Sequence, residues 1–88
     1  MRTNSISQNH VELIAGNLKA VFSYGKPCAY QVNGALVLNR DFYQYSRTTS
    51  KHVNSSFPLS ERKSLDVVSF PDNEFCQHLA QAINNQEE

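Results

Sequence analysis

Cys28-Ala29-Tyr30-Gln31-Val32-Asn33-Gly34-Ala35-Leu36-Val37-Leu38 is the stretch that decides how this chain folds. Two β-prone runs flank Asn33-Gly34. An Asn-Gly pair in that setting favours a type I′ turn, whose two central residues both need positive φ. The stretch therefore predicts two antiparallel strands joined by a tight hairpin. Just upstream, Leu18, Ala20, Phe22 and Tyr24 alternate with Lys19, Val21 and Ser23, which predicts a further strand with one favoured face. Gly25-Lys26-Pro27 separates it from the hairpin.

Working outward to the N-terminus, Val11, Ile14 and Leu18 fall at helical spacing. Ser5 or Ser7 stands where a cap belongs, and Gly16-Asn17 is a stop signal, so a helix is expected over residues 8–15. Residues 1–7 read as a flexible polar leader. Toward the C-terminus, Asn39-Arg40-Asp41 reads as a turn and Phe42 to Tyr45 as a short extended segment. Thr48-Thr49-Ser50 supplies capping hydroxyls, and Val53 and Phe57 follow four residues apart, so a short helix is expected near residues 50–57, stopped by Pro58. Leu65 to Phe70 is β-branched enough for another strand. Phe75, Leu79, Ala82 and Ile83 then form an apolar helical stripe with Pro71 near its first turn, and residues 84–88 end the chain as a polar tail. The sum is an α+β fold. It has a small antiparallel sheet of three to four strands, a C-terminal amphipathic helix packed on one face, and all of residues 8–86 in one domain.

Composition sets the outer bounds. The chain has 88 residues, 40% of them hydrophobic, with five Phe, four Tyr and no Trp. That suffices for one thin core, which dimerisation as a homodimer would thicken. No apolar run has the length of a membrane span, and Met1-Arg2-Thr3-Asn4-Ser5 lacks the apolar region of a signal peptide, so the expected setting is the cytoplasm, with no membrane partner. Cys28 and Cys76, far apart and each among apolar residues, read as two buried thiols.

Net charge is zero, yet all eight Lys and Arg lie at or before Lys63, against Glu12, Asp41 and Glu61. From Ser64 onward there are five acids and no base. Such asymmetry lets a neutral protein carry a basic patch.

The spacings that demanding chemistries need are missing. Two cysteines and three scattered histidines make no zinc pattern, there is no Gly-x-Ser-x-Gly elbow, and the three glycines are isolated. The residues predict neither enzyme, metal site nor cofactor.

What stands out is Tyr43-Gln44-Tyr45-Ser46-Arg47-Thr48-Thr49-Ser50-Lys51-His52. A helix N-terminus offers free N–H groups and a partial positive charge to anions. Thr48 and Thr49 would add hydroxyl donors there, while Arg40, Arg47, Lys51 and His52 would add charge. Tyr43 and Tyr45, two apart on an extended segment, would point to one side and stack on bases. Basic residues interleaved with aromatics suit a nucleic-acid surface, DNA or RNA. The same hydroxyls would equally serve to cap their own helix and nothing more.

Ser23-Tyr24-Gly25-Lys26-Pro27-Cys28-Ala29, followed by Tyr45-Ser46-Arg47-Thr48-Thr49-Ser50-Lys51-His52, resembles small uncharacterised phage- and plasmid-encoded proteins. Their pattern runs Ser-Tyr-x-Thr-x-Val-Ala, a strand pair, then Tyr-Ser-x-Thr-Thr-x-x-His. The likeness covers residues 18–57, with Lys26 and Cys28 standing where the pattern has Thr and Val. It implies a mobile-element accessory protein, with Tyr45, Ser46, Thr48, Thr49 and His52 on the matching positions, and it brings no activity with it. The expectation is thus a non-catalytic phage or plasmid protein in the host cytoplasm that binds nucleic acid. The alternative is an anti-defence factor that binds a host protein.

Overall fold

The turn at Asn33-Gly34 forms as its residues dictate, with φ of 50° and 82°. It joins β4 (Lys26–Val32) to β5 (Ala35–Asn39), with Val32 opposite Ala35. Residues 2–86 are described by this computed structural model; Met1 of the expected leader and Glu87 and Glu88 of the expected tail lie outside them. Before β4 come β1 (Arg2–Ser7), β2 (His10–Ala15) and β3 (Leu18–Ser23), each antiparallel to the next.

The chain then crosses over through α1 (Arg47–Ser56) and a short 3-10 turn at Arg62–Ser64 to β6 (Asp66–Phe70), which runs parallel to β5. A parallel pairing needs a connection of about a dozen residues or more, and this one has the room. α2 (Asp72–Gln86) closes the chain.

These facts correct the expected sheet. Among the described residues it has six strands in the order β1-β2-β3-β4-β5-β6 and is mixed, not an antiparallel sheet of three or four strands. The missing strands lie at the N-terminus, where residues 8–15 are not a helix and residues 2–7 are not a leader. Val11, Leu13 and Ala15 alternate with His10, Glu12 and Ile14, and both edges of β2 find strand partners, so pairing overrides a weak helical spacing. Gly16-Asn17 is a hairpin turn. β1 is exposed along its whole length, and a polar strand held by backbone hydrogen bonds leaves little hydrophobic signal to read. At the other end, Asn84 to Gln86 stay helical.

The helices cover opposite faces of the sheet. α1 lays Val53, with Phe57 at its C-terminal end, on Val21, Cys28, Ala29, Leu36 and Leu38. α2 lays Phe75 and Leu79, flanked by Ala82 and Ile83, on Leu18, Ala20, Tyr30 and Val37. Alternation along β5 explains the split, since Leu36 and Leu38 face α1 while Val37 faces α2. Among the described residues, no helix is long and apolar enough to cross a membrane.

Candidate binding site at the start of α1

α1 begins three residues earlier than the Thr-Thr-Ser run suggests. Ser46, in extended conformation at φ −150°, is the cap: its Oγ accepts from the N–H of Thr49 at 3.1 Å, and its carbonyl accepts from the N–H of Ser50 at 2.9 Å. The inner face of the helix then has two halves. Val53 and Phe57 meet the apolar cluster, whereas Thr49, His52 and Ser56 meet polar groups on β2 and β3.

Those contacts form two linked hydrogen-bond systems. At the C-terminal end, the hydroxyl of Ser56 donates to Glu12 Oε2 at 2.6 Å and lies 2.9 Å from His10 Nε2. Ser56 has one proton, given to Glu12, so His10 donates through Nε2–H, which fixes its neutral tautomer. Lys19 Nζ donates to the Ser56 carbonyl at 2.9 Å and lies 3.8 Å from Glu12 Oε2. At the N-terminal end, the hydroxyl of Ser46 donates to Thr49 Oγ1 at 3.2 Å, which lies 3.1 Å from Ser23 Oγ, itself 2.8 Å from His52 Nδ1. Donation in one direction, Ser46 to Thr49 to Ser23 to His52, gives every hydroxyl proton an acceptor. The two histidine rings stack at 4.5 Å and join the systems. His10 is 3% exposed. Burial first, then the neighbouring His52 and Lys19, hold its pKa below the ordinary histidine value against the opposing pull of Glu12.

Beside the N-terminal system opens a cavity of about 350 Å³. Its walls include the aromatic residues Tyr24, Phe42 and Tyr45, with Cys28 among the lining residues and Ser46, Thr48 and Thr49 along the helix side. The Lys26 ammonium stands 4.7 Å from the ring centres of both Phe42 and Tyr45, a double cation–π contact. Burial pushes the Cys28 thiol up to about 11, so it lines the cavity as a neutral group.

The expected site residues divide. Tyr45, Thr48 and Thr49 come together at the cavity, and His52 joins Thr49 through Ser23. Arg47 and Lys51, four apart on α1, are exposed on one stripe. Tyr43 does not share a side with Tyr45. Residues 42–45 form turns closed by Tyr43 N–H to Asn39 O and Tyr45 N–H to Phe42 O, which direct Tyr43 against the apolar cluster under α1. Arg40 is exposed, its N–H held by Phe70 O beside β6. Thr49 is buried, so its hydroxyl serves the relay and not an open surface.

The residues missed by sequence reasoning are His10, Glu12, Lys19 and Ser56 of the network, and Ser23, Tyr24, Lys26, Cys28 and Phe42 of the cavity. Four of these, Ser23, Tyr24, Lys26 and Cys28, lie in the first stretch that carries the resemblance, and the fold brings that stretch against the second. Cys76 is exposed on α2, not buried as expected. Among the described residues no three His, Cys, Asp or Glu side chains gather as a metal site requires, and no carboxylate hydrogen-bonds to His52.

Residues 1–66 match the model of a family of unknown function, DUF8033, and the chain belongs to that family. The matched span contains every residue of the cavity and of the polar network. No curated protein and no solved structure matches the chain.

Proposed function

We propose that this DUF8033 protein is a non-catalytic nucleic-acid-binding protein, an accessory of a phage or plasmid acting in the host cytoplasm, and that the surface around the start of α1 makes the contact. The observation that carries this reading is an aromatic cavity lined by Lys26, beside the start of a helix that carries the exposed Arg47 and Lys51. Among the described residues the ion pair is Lys19–Glu12, which leaves Arg40, Arg47 and Lys51 without a carboxylate. Arg47 and Lys51 repel each other at i and i+4, and the first turn of α1 holds no acid to offset them. The N–H groups of Arg47 and Thr48 lie outside the helix's own ladder at the positive end of its dipole. A phosphate backbone at the start of α1 offsets the Arg47–Lys51 repulsion and pairs these N–H groups at once. Tyr45, 64% exposed, supplies a ring on which a base can stack. The mobile-element setting rests on the resemblance of the Ser23–Ala29 and Tyr45–His52 stretches.

A salt titration of oligonucleotide binding tests the proposal. Each phosphate contact contributes roughly 0.7 to the slope of log affinity against log salt on a single strand. The double variant Arg47→Gln, Lys51→Gln should therefore flatten the slope by about 1.4. No binding at low salt refutes the reading.

A second reading has its own observation. β1 is an edge strand exposed along its whole length, with one side of its backbone unpaired, and such an edge can accept a strand from a host protein. Affinity capture after nuclease treatment separates the two: a specific partner that survives nuclease, with no oligonucleotide binding, favours the host-protein reading.

A further inference from the structure

We infer that the cavity beside α1 receives one unstacked base, which makes the partner single-stranded. The inference rests on the nucleic-acid reading and names its substrate class. At about 350 Å³ the cavity is at the small end of ligand pockets, with room for one flat heterocycle and not for a stacked pair. Phe42 and Tyr45 meet edge to face at 6.0 Å and 63°, and Tyr24, half exposed, stands among the other walls. Aromatic walls of this kind hold a base by its π-face.

Charge decides between a base and an apolar peptide side chain. Among the described residues the lining contains Lys26 and no acid, and Arg47 follows directly on the capping Ser46, so the occupant brings an anion with it. A base inside a duplex cannot enter such a pocket without leaving its stack, whereas an unpaired base can.

The hydroxyls also set how much sequence is read. The protons of Ser46, Thr49 and Ser23 are committed along the relay to His52, and Cys28 Sγ donates to the Lys26 carbonyl at 3.3 Å. Thr48, with the phenols of Tyr24 and Tyr45, is left to supply the free hydroxyls among the lining residues. Hydroxyls that rotate freely and can donate or accept distinguish bases poorly, so the site holds a base by stacking with little preference among the four.

Fluorescence anisotropy with a labelled oligothymidylate of about ten nucleotides, and with an abasic strand of the same length, tests this. The abasic strand keeps every phosphate. It should bind about tenfold more weakly with an unchanged salt slope, the loss expected from one stacked base. Tyr45→Ala, which alters an exposed ring and leaves the core intact, should cost about tenfold on oligothymidylate and nothing on the abasic strand. Equal affinity for the two strands overturns the base pocket while leaving phosphate binding in place. A duplex that binds as tightly as the single strand also overturns it, as does thymidine monophosphate binding as tightly as the oligomer, which would assign the cavity to a free nucleotide. Failure of both strands to bind removes the nucleic-acid reading itself.

Discussion

Lowering the pH should destabilise the fold through His10, and the size of the effect follows from its surroundings. The ring is 3% exposed, stacked 4.5 Å from His52, and donates to Ser56 from its Nε2. The charged and titratable groups that face it are Glu12 from its own strand, Lys19 from β3 and His52 from α1. Burial is the largest influence, and two of the three neighbours add to it, so the folded state holds His10 neutral at a pH where the unfolded chain would protonate it. The unfolded side chain titrates near 6.5.

The sign then follows from linkage. The unfolded state binds the extra proton, so stability rises with pH through the window between the lowered folded value and 6.5. This contribution is fully present above 6.5 and is lost as the pH falls toward the folded value. One proton gives at most about 1.4 kcal/mol per pH unit. Urea denaturation followed by circular dichroism from about pH 8 to about pH 5 should show that slope in the wild-type chain. His10→Gln keeps an N–H within reach of Ser56 but cannot titrate, and should remove most of it. Parallel pH profiles for the two proteins would refute the reasoning. A wild-type chain that gains stability in acid relative to the variant would mean that attraction to Glu12 outweighs burial.

Four further outcomes can be measured directly. Ser46→Ala should cost about 1 kcal/mol in urea unfolding, because it removes the cap of α1. Phe75→Ala should cost about 3–5 kcal/mol and leave the domain barely folded, since its ring is fully buried and tilted against Tyr30 at 5.4 Å. Gly16→Ala should cost about 1–2 kcal/mol, the penalty for a side chain at φ +56°, while the Gln86 side chain, 2.6 Å from the new Cβ, swings away and gives up its bond to the Asn17 N–H. Ellman's reagent at neutral pH should label Cys76 and reach Cys28 only on unfolding, because Cys28 is buried and its thiol is pushed up to about 11; equal rates for the two thiols would contradict this.

Local chemistry was legible in the sequence wherever it acts alone. Asn33-Gly34 carries its turn in two residues, and the stripe of Phe75, Leu79, Ala82 and Ile83 needs no partner to be recognised. β2 is the opposite case. Its α1-facing residues include His10 and Glu12, which read as solvent-facing and are covered only because Ser56 and Lys19 meet them from elsewhere in the chain. Half of the alternation that would mark the strand is thereby disguised, and the sheet is underestimated. The candidate site shows the same limit. Tyr45, Thr48 and Thr49 could be singled out as a group, but Ser23, Tyr24, Lys26 and Cys28 come from the β3–β4 hairpin, and only the fold brings the two stretches together. Tyr43 and Tyr45 were separated by a turn that simple alternation does not foresee.

The order of the strands bears on how the molecule folds. The first four connections, residues 8–9, 16–17, 24–25 and 33–34, are two residues each, so five strands can zip in sequence with almost no loop to close. β6 must wait for a segment of 26 residues, 40–65, to return to β5, and that closure is the slow entropic step. The cavity draws one wall from the early meander and the other from the late segment, so it does not exist until that step is complete. Occupation of the cavity would therefore report on final closure, and a ligand there would slow unfolding by holding the last-arriving segment against the first.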